Sequence, residues 1–247
     1  MDFMQWNEAE LAKIPVEDGF HLRGHAMTRV ETFVAAAFAF SITLIMISGD
    51  SIPKTIPETQ QAMLAIPAFL FSGVQLIWIW YEHALWSKRY GLEDGRTILF
   101  SAFLTMMMLV YIYPMRMMAS GMFAWLSDGY FPAGFSISNL QELRFLFYFS
   151  AAGFTLLGLI FWLLYRHALK QSQALKLTPY EQYLTETICQ IWMVVATTGI
   201  LVFSLTFLFS DRWLPYAPMF LSTLGFSIPI IHFKRNKNQP QSKSNSF

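Results

Sequence analysis

Polar and apolar residues are segregated along this chain into long blocks. Six apolar runs, at roughly 30–48, 63–86, 97–118, 145–165, 184–209 and 213–233, are separated by short polar connections rich in glycine and proline. A helix needs about 20 apolar residues to cross the hydrocarbon core of a bilayer. Lipid-facing barrel strands would alternate with period two, and these runs are continuously apolar. The pattern therefore predicts an all-α integral membrane protein with six transmembrane helices. Residues 1–27 form a polar N-terminal segment, 28–233 the six-helix domain, and 234–247, KRNKNQPQSKSNSF, a basic tail expected to be disordered.

Local signals refine these elements. In the first segment, Phe3, Met4, Leu11 and Ile14 share a helical face that suits the inner membrane surface, while a loosely ordered tail fits equally well. No small-residue cleavage site follows the 30–48 run, so it is expected to remain in the mature protein. Pro67 and Gly73 predict a kink or close approach in helix two, and helix three is expected to end near Pro114 and Arg116. The stretch 119–143, aromatic but interrupted by glycines and a proline, reads as an extracytoplasmic interfacial loop. Gly153 and Gly158 suit close helix packing, and Pro215, Pro218 and Pro229 predict an irregular last helix.

Composition agrees: 55% of the 247 residues are hydrophobic and 13% charged, with 24 Phe, 14 Met and 8 Trp, which no soluble surface of this size accommodates. Of 17 Lys and Arg residues, only Lys54, Arg116, Arg144 and Arg212 fall on the side opposite the N-terminus. The positive-inside bias then places both termini in the cytoplasm of a multi-pass protein of the plasma membrane. Cys189 is the single cysteine and permits no intrachain disulfide.

Candidate chemistry is sparse. Glu31, Glu82, His83 and Glu186 sit inside apolar runs near one membrane level, where charges are costly and usually paired or functional, unless they snorkel to water. His83 is either a hydrogen-bond anchor between helices or a gate or proton sensor. The five histidines are scattered, and HExxH, CxxC, GxSxG and glycine-rich phosphate-loop patterns are absent. No metal, cofactor, nucleic-acid partner or enzymatic activity is expected.

The first apolar run stands apart. Ala35, Ala36, Ala37 and Ala39 make it slim, and Phe40, Thr43, Leu44 and Ile47 fall on one face at helical spacing. Copies of this helix around a shared axis would stack rings of Phe40, Leu44 and Ile47 as hydrophobic constrictions, with Thr43 and Ser41 offering hydroxyls to a passing ion. A tightly packed bundle helix explains the same residues, and the pattern alone leaves both readings open.

The stretch RVETFVAAAFAFSITL nonetheless resembles the start of helix one in prokaryotic members of the transmembrane protein 175 family, the lysosomal potassium channel family. The family pattern is Arg-x-x-x-Phe-Ser-Asp, with a threonine eight positions after the Asp. Arg29, Phe33 and Thr43 match, while Val34 and Ala35 replace the Ser and Asp. Trp80 and His83 resemble a Trp-x-x-His of helix two, and the likeness extends from residue 23 to about 233. The resemblance implies a homotetrameric potassium channel in the bilayer, with four first helices lining the pore and no carbonyl filter. It places the family's isoleucine constriction at Phe40 and the later rings at Leu44 and Ile47. It also implies a polar network joining Arg29, Glu31 and Phe33 to Trp80 and His83, with Glu31 or Glu82 standing in for the missing Asp. The competing expectations are a non-conducting scaffold or sensor of the same fold, and a proton-coupled transporter using Glu31, His83 and Glu186.

Overall fold

A computed structural model describes residues 6–24, 26–47 and 53–236, the side chains of 46, 47 and 236 excepted. A one-turn helix α1 (Glu8–Leu11) and a hairpin of β1 (Val16–Glu17) and β2 (Phe20–His21) precede α2 (Arg29–Ile47), α3 (Ile56–Leu64) and α4 (Ile66–Tyr90). Then come α5 (Gly95–Leu126), α6 (Leu140–Lys170), α7 (Pro179–Leu208), a 3-10 helix (Leu214–Thr223) and α8 (Leu224–Asn236). Over the described residues, each predicted apolar run is helical for most of its length. The chain is a multi-pass membrane protein: among the described residues, four helices are long and apolar enough to cross a bilayer, and five when α3 and α4, bent by 45°, are counted as one span.

The helix boundaries follow local chemistry. Thr55, Asp94, Asn139 and Thr178 cap α3, α5, α6 and α7 by accepting hydrogen bonds from backbone N–H groups one turn on. Gly91, left-handed at φ 58°, ends α4. The bend between α3 and α4 falls at Ala65, beside Pro67. At the other end of the chain, the prolines after residue 214 draw the backbone into a 3-10 helix before α8 begins.

Two expectations are corrected. Helix α5 does not end near Pro114: it runs to Leu126, because a buried proline inside an apolar bundle loses one hydrogen bond without ending the helix. The connection to α6 therefore covers 127–139 rather than 119–143, turning at Asp128 and Gly129, both at positive φ. The N-terminal segment is also more ordered than a tail. Asp18 and Gly19 take positive φ and close a two-residue hairpin, whose Phe20 is fully buried in the end of the bundle. Phe3, Met4 and residues 237–247 lie outside the described residues, while Lys234 and Arg235, assigned to the tail, complete α8.

One end of the bundle gathers the hairpin, the C-termini of α4, α6 and α8, and the N-termini of α5 and α7. Phe20 meets Tyr90 edge-on at 5.4 Å, and Tyr90 meets Tyr165 at 6.0 Å. The Arg23 and Gly24 amides donate to the Arg89 and Lys88 carbonyls, satisfying acceptors that the end of α4 leaves open. Gly24 is required here, since a Cβ would lie 2.2 Å from the Ser87 carbonyl oxygen. Arg23 is buried, and each of its five N–H donors has an acceptor: the Leu175, His21 and Lys176 carbonyls and both Glu181 oxygens, the latter at 3.0 and 2.8 Å. Away from this end, α6 and α7 approach closely, and a Cβ on Gly158 would lie 2.7 Å from the Ala196 nitrogen.

Candidate functional site: the exposed face of the first long helix

Helix α2 is divided lengthwise. Val34, Phe38, Ser41 and Ile45, spaced four, three and four residues apart, are buried against the bundle, chiefly α5 and α4. Thr32, Phe33, Ala36, Ala39, Phe40 and Thr43 form the opposite, uncovered face. Phe40 is 57% exposed, a large apolar ring left mostly uncovered by its own chain. Alanines flank it on the same face, so the helix backbone can come close to whatever lies opposite.

The hydroxyls of α2 separate the same way. Ser41 points into the bundle and donates to the Ala37 carbonyl at 2.8 Å, so it offers nothing on the exposed face. Thr43 lies on that face and donates to the Ala39 carbonyl at 3.4 Å, so its oxygen keeps its capacity to accept. Leu44 is half-buried and packs on the core, at the border between the two faces. The Ile47 side chain lies outside the described residues.

Both ends of α2 are tied. At its start the Arg29 amide donates to Glu93, and Glu31 accepts a hydrogen bond from Ser87 at 3.2 Å. At its far end Arg116 of α5 donates to the Ile45 carbonyl at 2.6 Å. Arg29 and Phe33 are otherwise exposed, and Trp80 is half-buried against the core.

His83 is buried, and its Nε2 lies 2.9 Å from the Ser101 hydroxyl of α5, with the Trp86 ring beside it. Its hydrogen-bonding partner is thus a neutral hydroxyl and neither Glu31 nor Glu82. Val34 is fully packed and its neighbour Ala35 half-buried. Ser101→Ala would leave a buried ring nitrogen without its partner. The expected cost is about 1–3 kcal/mol, read as a lower thermal midpoint of the detergent-solubilised protein.

Glu31, His83 and Glu186 are not brought together: their partners are Ser87, Ser101 and Arg235 respectively. Among the described residues no three His, Cys, Asp or Glu side chains converge in a way that would hold a metal ion. The buried Arg23–Glu181 pair was not legible as a pair, because its members are 158 positions apart. The Asp18-Gly19 dipeptide was a readable turn signal for the hairpin that carries it.

No protein-family model matches the chain. A potassium channel of Marivirga tractuosa is 30% identical over 207 residues, spanning 81% of this chain and 82% of the relative. A crystal structure of the potassium channel MtTMEM175, a threonine-to-alanine variant in complex with a nanobody–MBP fusion protein, superposes with a TM-score of 0.75. It is 28% identical, and the match covers 91% of this chain and 99% of that one.

Proposed function

This chain belongs to the transmembrane protein 175 family of potassium channels, and on that premise we propose that it is a homotetrameric potassium channel of the plasma membrane whose pore is lined by α2. The observation that carries the reading is the uncovered face of α2: slim, apolar, and bearing an outward hydroxyl. A surface of this kind on a single six-helix unit is completed by copies of itself around a closed symmetry axis. Residues 28–233 form the transmembrane domain, with α2 as its first span, and 1–27 and the tail 234–247 lie on the cytoplasmic side.

In such a tetramer four Phe40 rings meet at the axis. A ring of large apolar side chains excludes water and closes a narrow pore by dewetting. Thr43 sits nearly one turn further along, its hydroxyl hydrogen committed to Ala39 and its oxygen free to accept a cation. Leu44 and Ile47 continue the lining. Glu31, through Ser87, and the Arg29 amide, through Glu93, hold the start of the helix, and His83 joins α4 to α5 behind it, while the Arg29 and Phe33 side chains stay exposed and Trp80 packs on the core.

A second reading, a non-conducting membrane protein of the same fold, draws on Val34 and Ala35 at the family's polar positions and on the bulk of Phe40. Potassium flux into liposomes holding the purified protein, with crosslinking to count subunits, separates the two. Tetramers with potassium flux in the parent or the Phe40→Ala variant are the expected result. A monomer or dimer, or tetramers silent in both forms, would overturn the channel reading.

A further inference from the structure

Away from α2, at the same end of the bundle as the hairpin, a cavity of about 260 Å³ opens between the start of α5 and the end of α6. Its walls carry Arg96, Arg166, His167 and Lys170 together with Phe100 and Trp162, and no carboxylate lines it. His167 is already engaged, its Nε2 lying 3.0 Å from Asp94. The other three cations are exposed, and among the described residues none forms a salt bridge. Arg166 lies over the Trp162 ring at 4.7 Å, which orients its guanidinium without neutralising it. Three uncompensated positive charges around one cavity make a receptor for an anion.

The arrangement also points to the kind of anion. The charges stand at helix ends, where the headgroups of a surrounding bilayer lie, and Phe100 and Trp162 sit one turn deeper along α5 and α6. Below Arg96, the residues Leu99, Phe103, Met106 and Val110 follow at spacings of three and four, all exposed and apolar. A soluble phosphate would use the charges and leave this stripe idle. A phospholipid uses both, its headgroup among the cations and an acyl chain along α5.

We propose that this cavity is a binding site for an anionic phospholipid of the leaflet at that end of the bundle. Basic pockets between transmembrane helices on the cytoplasmic side are suited to such headgroups. The site rests on the membrane location of the chain and is independent of whether its pore conducts.

The test is native mass spectrometry of the full-length protein released from micelles containing phosphatidylglycerol or phosphatidylcholine with identical acyl chains. The parent is expected to retain phosphatidylglycerol in preference, and Arg96→Gln, Arg166→Gln and Lys170→Gln are each expected to weaken that retention about fivefold without changing phosphatidylcholine binding. Equal retention of the two lipids by the parent, or an unchanged preference in all three variants, would overturn the site. Displacement of the lipid by inorganic phosphate beyond that caused by sodium chloride of equal ionic strength would overturn it in favour of a soluble anion. Where a variant does not elute like the parent, the parent's own salt dependence decides: phosphatidylglycerol retention should fall as sodium chloride rises, and retention indifferent to salt counts against the proposal.

Discussion

Phe40→Ala is expected to raise potassium flux through the reconstituted protein by on the order of tenfold or more, since each ~1.4 kcal/mol removed from a barrier is a factor of 10 in rate. The argument starts from exposure. Phe40 is more than half exposed and stands outside the buried core, so its removal leaves that core intact. In the proposed tetramer the same change takes four aromatic rings from the narrowest level of the pore and lets water enter it. Phe38 supplies the control. It is two positions away, on the opposite side of the helix and 3% exposed, and Phe38→Ala should destabilise the fold by about 3–5 kcal/mol. Flux that rises with Phe40→Ala while the thermal midpoint holds, and a midpoint that falls with Phe38→Ala, would separate the two faces functionally. Flux at the parent level in Phe40→Ala would mean that this ring does not control permeation.

Glu181→Ala is expected to be the most damaging single change outside the helix core. Arg23 and Glu181 are fully buried as side chains, and the Glu181 oxygens also accept hydrogen bonds from the backbone amides of His21 and Thr178. Removing the carboxylate leaves a buried guanidinium without counter-charge and two amides without acceptors. Breaking one partner from such a pair costs about 3–5 kcal/mol, which for a chain of this size lowers the thermal midpoint by on the order of 10 °C. Tryptophan fluorescence during heating of the solubilised protein reads it directly. The paired replacement Arg23→Met with Glu181→Leu should recover the part of the loss due to the unpaired charge, while the backbone groups of His21, Thr178, Leu175 and Lys176 that the pair served remain unsatisfied. A midpoint within a degree or two of the parent in Glu181→Ala would show that the clamp adds little to stability.

The helical spans were readable because hydrophobicity is a local property, and a run of about 20 apolar residues has few alternatives in a bilayer. Boundaries were less so. Pro114 looked like a stop, yet its context is apolar on both sides, and the turn lies instead at Asp128 and Gly129, where the backbone needs positive φ. The N-terminal hairpin escaped a reading tuned to long apolar runs, although its Asp-Gly turn is a short-range signal. For the site, helical spacing put Phe40 and Thr43 on one face and both are exposed together, whereas Leu44, 40° further around the helix, is partly covered. What spacing could not supply was the partner of each polar group. Ser41 turns inward, His83 meets Ser101, and Arg23 finds Glu181 across more than half the chain.

The ties at the two ends of α2 bear on how it can move. Near its start the chain is pinned at Gly24 and Arg23, only a few residues before the helix begins, and near its far end the Arg116 guanidinium grips the Ile45 carbonyl. Between those tips the row of Val34, Phe38, Ser41 and Ile45 sits like a keel against α4 and α5, so the rod resists spinning as well as swinging. Successive residues are offset by about 100°, so the turn of about 60° that would bring Thr43 to where Phe40 points would lever that keel out of its groove, and the bundle itself fixes which side of the rod is offered outward.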